Sequence, residues 1–127
     1  MENLIIKATS YTPEINLNAQ NGQMIIKGKS YPENTFEYYQ PIINWIEEYF
    51  KSDETKSFLF NLDLEYQNSS SLKVYFDIFD LLEAAHDNKH TISINWIYDE
   101  DNDIAFETGE DFIEDFKTLD IKLVCKT

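Results

Sequence analysis

The chain has 127 residues but a single cysteine, Cys125, and only three glycines and three prolines. One cysteine cannot make an internal disulfide, which points to a reducing compartment. So little glycine and proline argues against a disordered or low-complexity protein. Positive charge is scarce too: 10 basic residues against 24 acidic ones leave a net charge of −14. That argues against nucleic acid and anionic membranes as partners, since both require a positive footprint. No apolar run reaches transmembrane length, and the first residues lack the basic and apolar regions of a secretion signal. A cytoplasmic protein is expected. Catalytic signatures are also missing. There is no glycine-rich phosphate loop, no nucleophile elbow and no Cys–His pair, and in so acidic a chain neighbouring carboxylates select nothing. Neither enzymatic activity nor a cofactor is expected.

What is there is enough for a core: 43% of the residues are apolar and 15% aromatic. The length suits one domain, residues 1–127. Residues 3–8 read as a short first strand. Residues 14–18 and 23–27 alternate around Asn21-Gly22, a two-residue turn signal, and form a hairpin. Residues 33–50 carry Phe36, Tyr39, Ile42, Ile43, Ile46 and Phe50 at helical spacing, with Thr35 as the cap. Pro41 inside this run should kink the helix or mark its true first turn. Strands follow at 57–66, 91–98 and 119–125, and helices at about 70–85 and 105–116, the last with Gly109 as a point of interruption. Helices between strands imply right-handed crossovers. The expected fold is α/β: a mixed, mainly parallel sheet with an antiparallel hairpin and about three helices. No internal repeat is visible. Trp45 and Trp96 lie in periodic apolar segments and are expected in the core.

The stretch from Asn61 to Glu83 stands out. A strand leads into Asn68, Ser69, Ser70 and Ser71, all helix-capping residue types, and then into an apolar-periodic run. The hydroxyls are thus set at a helix start, where free N–H groups and the positive dipole end favour an anion. Capping alone is the commoner use of such serines. Phosphorylation of one of them is the regulatory alternative, and it would change the local charge by about −1.5 to −2. The helix that follows has a narrow polar stripe (Lys73, Asp77, Asp80, Glu83, Asp87) and an apolar arc wider than the ~100° a surface helix needs. Either its own domain sandwiches it, or part of that face meets a partner.

Two other clusters were weighed against plain solvation. Asp99, Asp101, Asp103 and Glu110 match first, third, fifth and twelfth positions of an EF-hand loop. Ile104 stands where the obligatory glycine should be, and a strand precedes the loop instead of a helix. A small metal-binding protein using Asp99–Glu110 is therefore a minor alternative. His86 and His90 straddle a helix end with no third ligand in view, so no zinc site is expected.

The combination Ser30-Tyr-Pro-Glu-Asn34, Tyr66-Gln-Asn-Ser-Ser-Ser71 with Lys73, Asp77-Ile-Phe-Asp-Leu-Leu-Glu83 with His86, and Asn95-Trp96 with Tyr98 resembles the SiaC family of bacterial regulatory phosphoproteins over nearly the whole chain. The resemblance implies a domain of the anti-anti-sigma (STAS) type, with a phosphorylatable hydroxyl at a strand-to-helix turn. It also implies three partners: a SiaB-type protein kinase, a SiaA-type metal-dependent serine/threonine phosphatase, and a SiaD-type diguanylate cyclase. The unphosphorylated protein would activate the cyclase, raise cyclic-di-GMP and promote biofilm. The family pattern puts the modified hydroxyl directly after the Asn, at Ser69, with Ser70 and Ser71 as alternatives. The expected partner surface is Asn68, Ser69, Ser70, Leu72, Lys73 and Phe76. A STAS-like antagonist of a sigma-regulating kinase shares the switch and is the rival reading.

Overall fold

The computed structural model describes residues 1–126. The element order is β1 (Leu4–Ile6), β2 (Glu14–Asn18), β3 (Gln23–Ser30), α1 (Thr35–Tyr49), β4 (Ser57–Gln67), α2 (Ser69–Asp87), β5 (Thr91–Asp99), α3 (Asp103–Asp115) and β6 (Asp120–Lys126). They build one six-stranded sheet in sequential order. β1, β2 and β3 pair antiparallel; β3 to β6 pair parallel. The mixed, mainly parallel sheet and three helices agree with the fold class read from the sequence.

Sequential strand order has a consequence. Three right-handed crossovers in one direction put all three helices on the same face. Ile15 and Leu17, Met24 and Ile26, Phe60 and Leu62, Ile92, Ile94 and Trp96 point to that face and are buried. Their alternates form the other face, which no helix covers. There Asn16, Asn61, Asn95 and Lys122 lie in register with Ile25 across the sheet. Asn95 Nδ2 donates to Asn61 Oδ1 at 2.8 Å. A polar open face is why the strands alternate so cleanly in sequence, although parallel strands are commonly buried on both sides.

Local details depart from the expectations where tertiary contacts intervene. The hairpin loop has four residues, not two, since Asn18 pairs with Gln23. Gly22 turns it at φ +65°, and a Cβ there would fall 2.3 Å from the Ser57 carbonyl oxygen. Asn34, not Thr35, caps α1, accepting from the Glu37 N–H. Thr35 is inside the helix and buried. The helix runs through Pro41, which is neither its first turn nor its end. Gly109 does not interrupt α3; it lets the helix approach the sheet. A Cβ at Gly109 would meet Leu123 Cδ2 at 2.5 Å and Trp96 Cδ1 at 2.8 Å. Both tryptophans are buried, with their N–H groups donating to the Glu2 and Ala105 carbonyls at 2.9 Å.

Candidate functional site

Three asparagines cap the three helices: Asn34, Asn68 and Asn102. Each side-chain oxygen accepts the backbone N–H three residues on, from Glu37, Ser71 and Ala105. The caps follow one another in equal steps of 34 residues, because each strand–helix unit has the same length. All three helix starts therefore collect at the carboxyl ends of the parallel strands, the usual address of function in open α/β sheets. The serine turn is the middle one.

The structure separates the three serines. Ser69 and Ser70 are exposed, whereas Ser71 is fully buried. The Ser71 hydroxyl is enclosed and already bonded. Its Oγ donates to the Ser30 carbonyl at 3.1 Å and lies 2.7 Å from Ser30 Oγ. Ser30 Oγ lies 2.6 Å from Tyr39 Oη, and Tyr39 Oη lies 2.5 Å from Tyr75 Oη. Burial pushes both phenol pKa values up, so both keep their protons. Four hydroxyl protons thus serve four bonds, and the Ser30 carbonyl can only accept. One assignment satisfies all of them: Tyr75 donates to Tyr39, Tyr39 to Ser30, Ser30 to Ser71, and Ser71 to the Ser30 carbonyl. This buried chain ties the ends of β3, α1 and α2 together. The Asn68 N–H adds a bond to the same Ser30 carbonyl at 3.0 Å. The exposed serines stand on a fixed base.

The residues expected as a partner surface along α2 differ in exposure. Phe76 packs on Phe112 at 4.4 Å and on Phe116 at 5.8 Å between ring centroids. Val74, Tyr75, Ile78, Phe79, Leu82 and Ala85 are buried against the sheet and neighbouring helices. Leu72 is half-buried against the core. The wide apolar arc exists because α2 is the middle helix of the layer, with α1 on one side and α3 on the other. Asn68 is half-buried as the cap, and Ser69, Ser70 and Lys73 are exposed. Lys73 Nζ sits 6.0 Å from the ring centroid of Phe36.

Several apolar groups near the turn are exposed. Tyr66, at the end of β4, is 53% exposed. It meets Tyr31 edge-on at 5.7 Å, and Tyr31 meets Tyr11 at 6.2 Å. Phe36, expected on the core face of α1, is 56% exposed. It follows buried Thr35 by one residue and so lies about 100° around the helix from the stripe Thr35, Tyr39, Ile42 and Ile46 that meets the core. On the other side of Tyr66 a hollow of about 110 Å³ is lined by Glu65, Tyr66, Gln67, Asn102, Ile104 and Ala105.

The remaining candidates divide. Asp103 is the first residue of α3 and Glu110 lies within that helix, so the acidic run is split between a loop and a helix. Among the described residues no three His, Cys, Asp or Glu side chains come together in a metal-holding group. His90 is buried, accepts the Lys56 N–H on Nδ1 at 3.0 Å and packs on Phe50, while His86 is exposed on the last turn of α2. Among the described residues no helix is long and apolar enough to cross a membrane.

Comparison with known proteins places the whole chain. A solved structure of SiaC of Pseudomonas aeruginosa superposes with a TM-score of 0.90 at 35% identity, covering 99% of this chain and all of that one. Its structure in complex with the diguanylate cyclase SiaD, which it activates, also matches at a TM-score of 0.90, over 97% of this chain and 99% of that one, at 35% identity. A protein of P. aeruginosa strain UCBPP-PA14 is 40% identical over 115 residues, 91% of this chain and 90% of its own length. The model of the SiaC family of regulatory phosphoproteins matches residues 6–126. The fold, the exposed turn and these likenesses lead to one conclusion: the chain belongs to the SiaC family of regulatory phosphoproteins.

Proposed function

We propose that this chain is a non-enzymatic switch whose unphosphorylated form binds and activates a diguanylate cyclase, and that phosphorylation of Ser69 blocks the contact. The observation that carries the reading is the contrast within the serine turn: Ser69 is exposed at the first position of α2, while Ser71 is locked beneath it. The complex of the P. aeruginosa relative with SiaD supports a cyclase as the downstream partner. A SiaB-type kinase and a SiaA-type phosphatase would set the phosphorylation state.

The physics is local. A phosphate on Ser69 adds about −1.5 to −2 charges beside half-exposed aromatic rings. Docking would have to strip water from that group, which costs far more than stripping it from a hydroxyl. Asn68 keeps capping the helix in either state, so the switch acts on the surface and leaves the fold alone.

The test uses SiaD of P. aeruginosa as the probe, with cyclic-di-GMP formation from GTP as the readout. The unmodified chain and Ser69→Ala should stimulate synthesis; Ser69→Asp should stimulate little. Stimulation by all three alike, or by none, overturns the proposal. Ser70→Asp separates the neighbouring hydroxyl: a loss there equal to that of Ser69→Asp would move the site.

A further inference from the structure

Among the described residues eight large apolar side chains are left exposed, and five of them are Tyr11, Tyr31, Phe36, Tyr66 and Ile104. All five lie at the carboxyl ends of the parallel strands, around the serine turn. Scattered exposed apolar residues need no explanation, but their concentration at one end does. The fold does not require it. Ile104 is 73% exposed, and the Tyr31 hydroxyl is spent on the Ser10 carbonyl at 2.9 Å, which presents the ring outward.

Charge flanks this crest on both sides. Glu33 and Glu37 lie at the start of α1; Asp99, Glu100, Asp101 and Asp103 lie at the β5–α3 connection, all exposed. Three lysines nearby offset part of this charge, and of these Lys73 is exposed on α2 beside Phe36. Lys29 lies 4.0 Å from Glu65, and Lys126 lies 2.8 Å from Asp63.

We infer that the aromatic crest Tyr31–Tyr66 with Phe36 and Ile104, and not the face of α2, is the docking surface, and that its occupant is a protein segment with an apolar centre and basic flanks. Aromatic side chains are common anchors of such interfaces, since they bring large area at low conformational cost. Acidic rims recruit and orient basic flanks without supplying most of the affinity. The proposal deepens the switch reading and rests on it only for the role of Ser69. With the apolar centre of the partner over the turn, a phosphate there would lose water to apolar groups, and Lys73 one turn along α2 offsets only part of its charge.

The experiment titrates the isotope-labelled full chain with a synthetic peptide that has a leucine-rich centre and lysine flanks, followed by NMR shifts. Its twin with glutamate flanks is the control. Saturable shifts should centre on Tyr31, Phe36, Tyr66 and Ile104 with the lysine peptide alone. Phe36→Ser and Tyr66→Ser should each weaken binding about tenfold or more, while Val124→Ser on the open sheet face should not. Thermal midpoints of the variants check that each is folded. Shifts centred on the open sheet face or on α2, or equal binding of the two peptides, overturn the proposal. Ser69→Asp keeps the two readings apart. If it binds the lysine peptide as the parent does while the aromatic variants fail, the crest stands and the switch falls.

Discussion

The buried hydroxyl chain makes a prediction that size and burial alone would get backwards. Tyr75 is the largest member with Tyr39, and both are fully buried, so truncating Tyr75 might be expected to cost most. Proton counting says otherwise. In Tyr75→Phe, Tyr39 still donates to Ser30, Ser30 to Ser71, and Ser71 to the Ser30 carbonyl. No donor is stranded, and the loss is one ordinary bond, about 0.5–1.5 kcal/mol. In Ser30→Ala, two phenolic protons remain with one bond between them, so one buried donor has no acceptor. That costs about 1–3 kcal/mol, and the smaller side chain leaves a gap besides. The expected gap between Tyr75→Phe and Ser30→Ala is roughly 1 kcal/mol, a midpoint difference of about 3–5 °C for a chain of this size. Urea titrations followed by tryptophan fluorescence, with the slope checked for constancy, measure it. The assignment of donors is wrong if Tyr75→Phe destabilises as much as Ser30→Ala.

Other perturbations have signs that can be worked out in advance. Gly109→Ala should destabilise: helix propensity favours alanine by about 1 kcal/mol, but contacts of 2.5 and 2.8 Å with Leu123 and Trp96 demand repacking worth about 1–3 kcal/mol. Leu123→Ala should return part of the loss in thermal melts, and a more stable Gly109→Ala would contradict the close approach. The Asp80 carboxyl pKa is raised, first by burial and then by Asp77 and Glu83. Its ionisation therefore opposes folding, so Asp80→Asn should raise the midpoint at neutral pH. The gain should vanish as pH falls below the ordinary carboxylate value of about 4, and shrink with salt because the group is exposed. A gain that persists at low pH would mean packing, not charge, is responsible.

Much of the architecture was legible because the open face of the sheet is wet. Asn16, Asn61 and Asn95 alternate with buried neighbours, so each strand announces its period. Asn68 and the serines marked a helix start from sequence, and the same rule applied to Asn34 would have found the cap that Thr35 was given. Which aromatic side chains stay exposed was not legible. Phe36 was grouped with the apolar run of α1, yet the buried stripe passes through Thr35, Tyr39, Ile42, Ile46 and Tyr49, and Phe36 sits about 100° around the helix from it.

The sequence alone determined that a hydroxyl-rich turn joins a strand to an amphipathic helix and that the chain is strongly acidic. It ranked Ser69 above its neighbours only through the family pattern, and it made α2 look too greasy for its own domain. Tertiary structure supplied the physical distinction in both cases. A helix placed between two others spends its apolar arc inwards, and Ser71 falls under the Ser30 carbonyl while Ser69, two residues earlier on the helix, faces water. Those outcomes depend on which neighbours surround a residue, and local periodicity holds no information about neighbours distant in the chain.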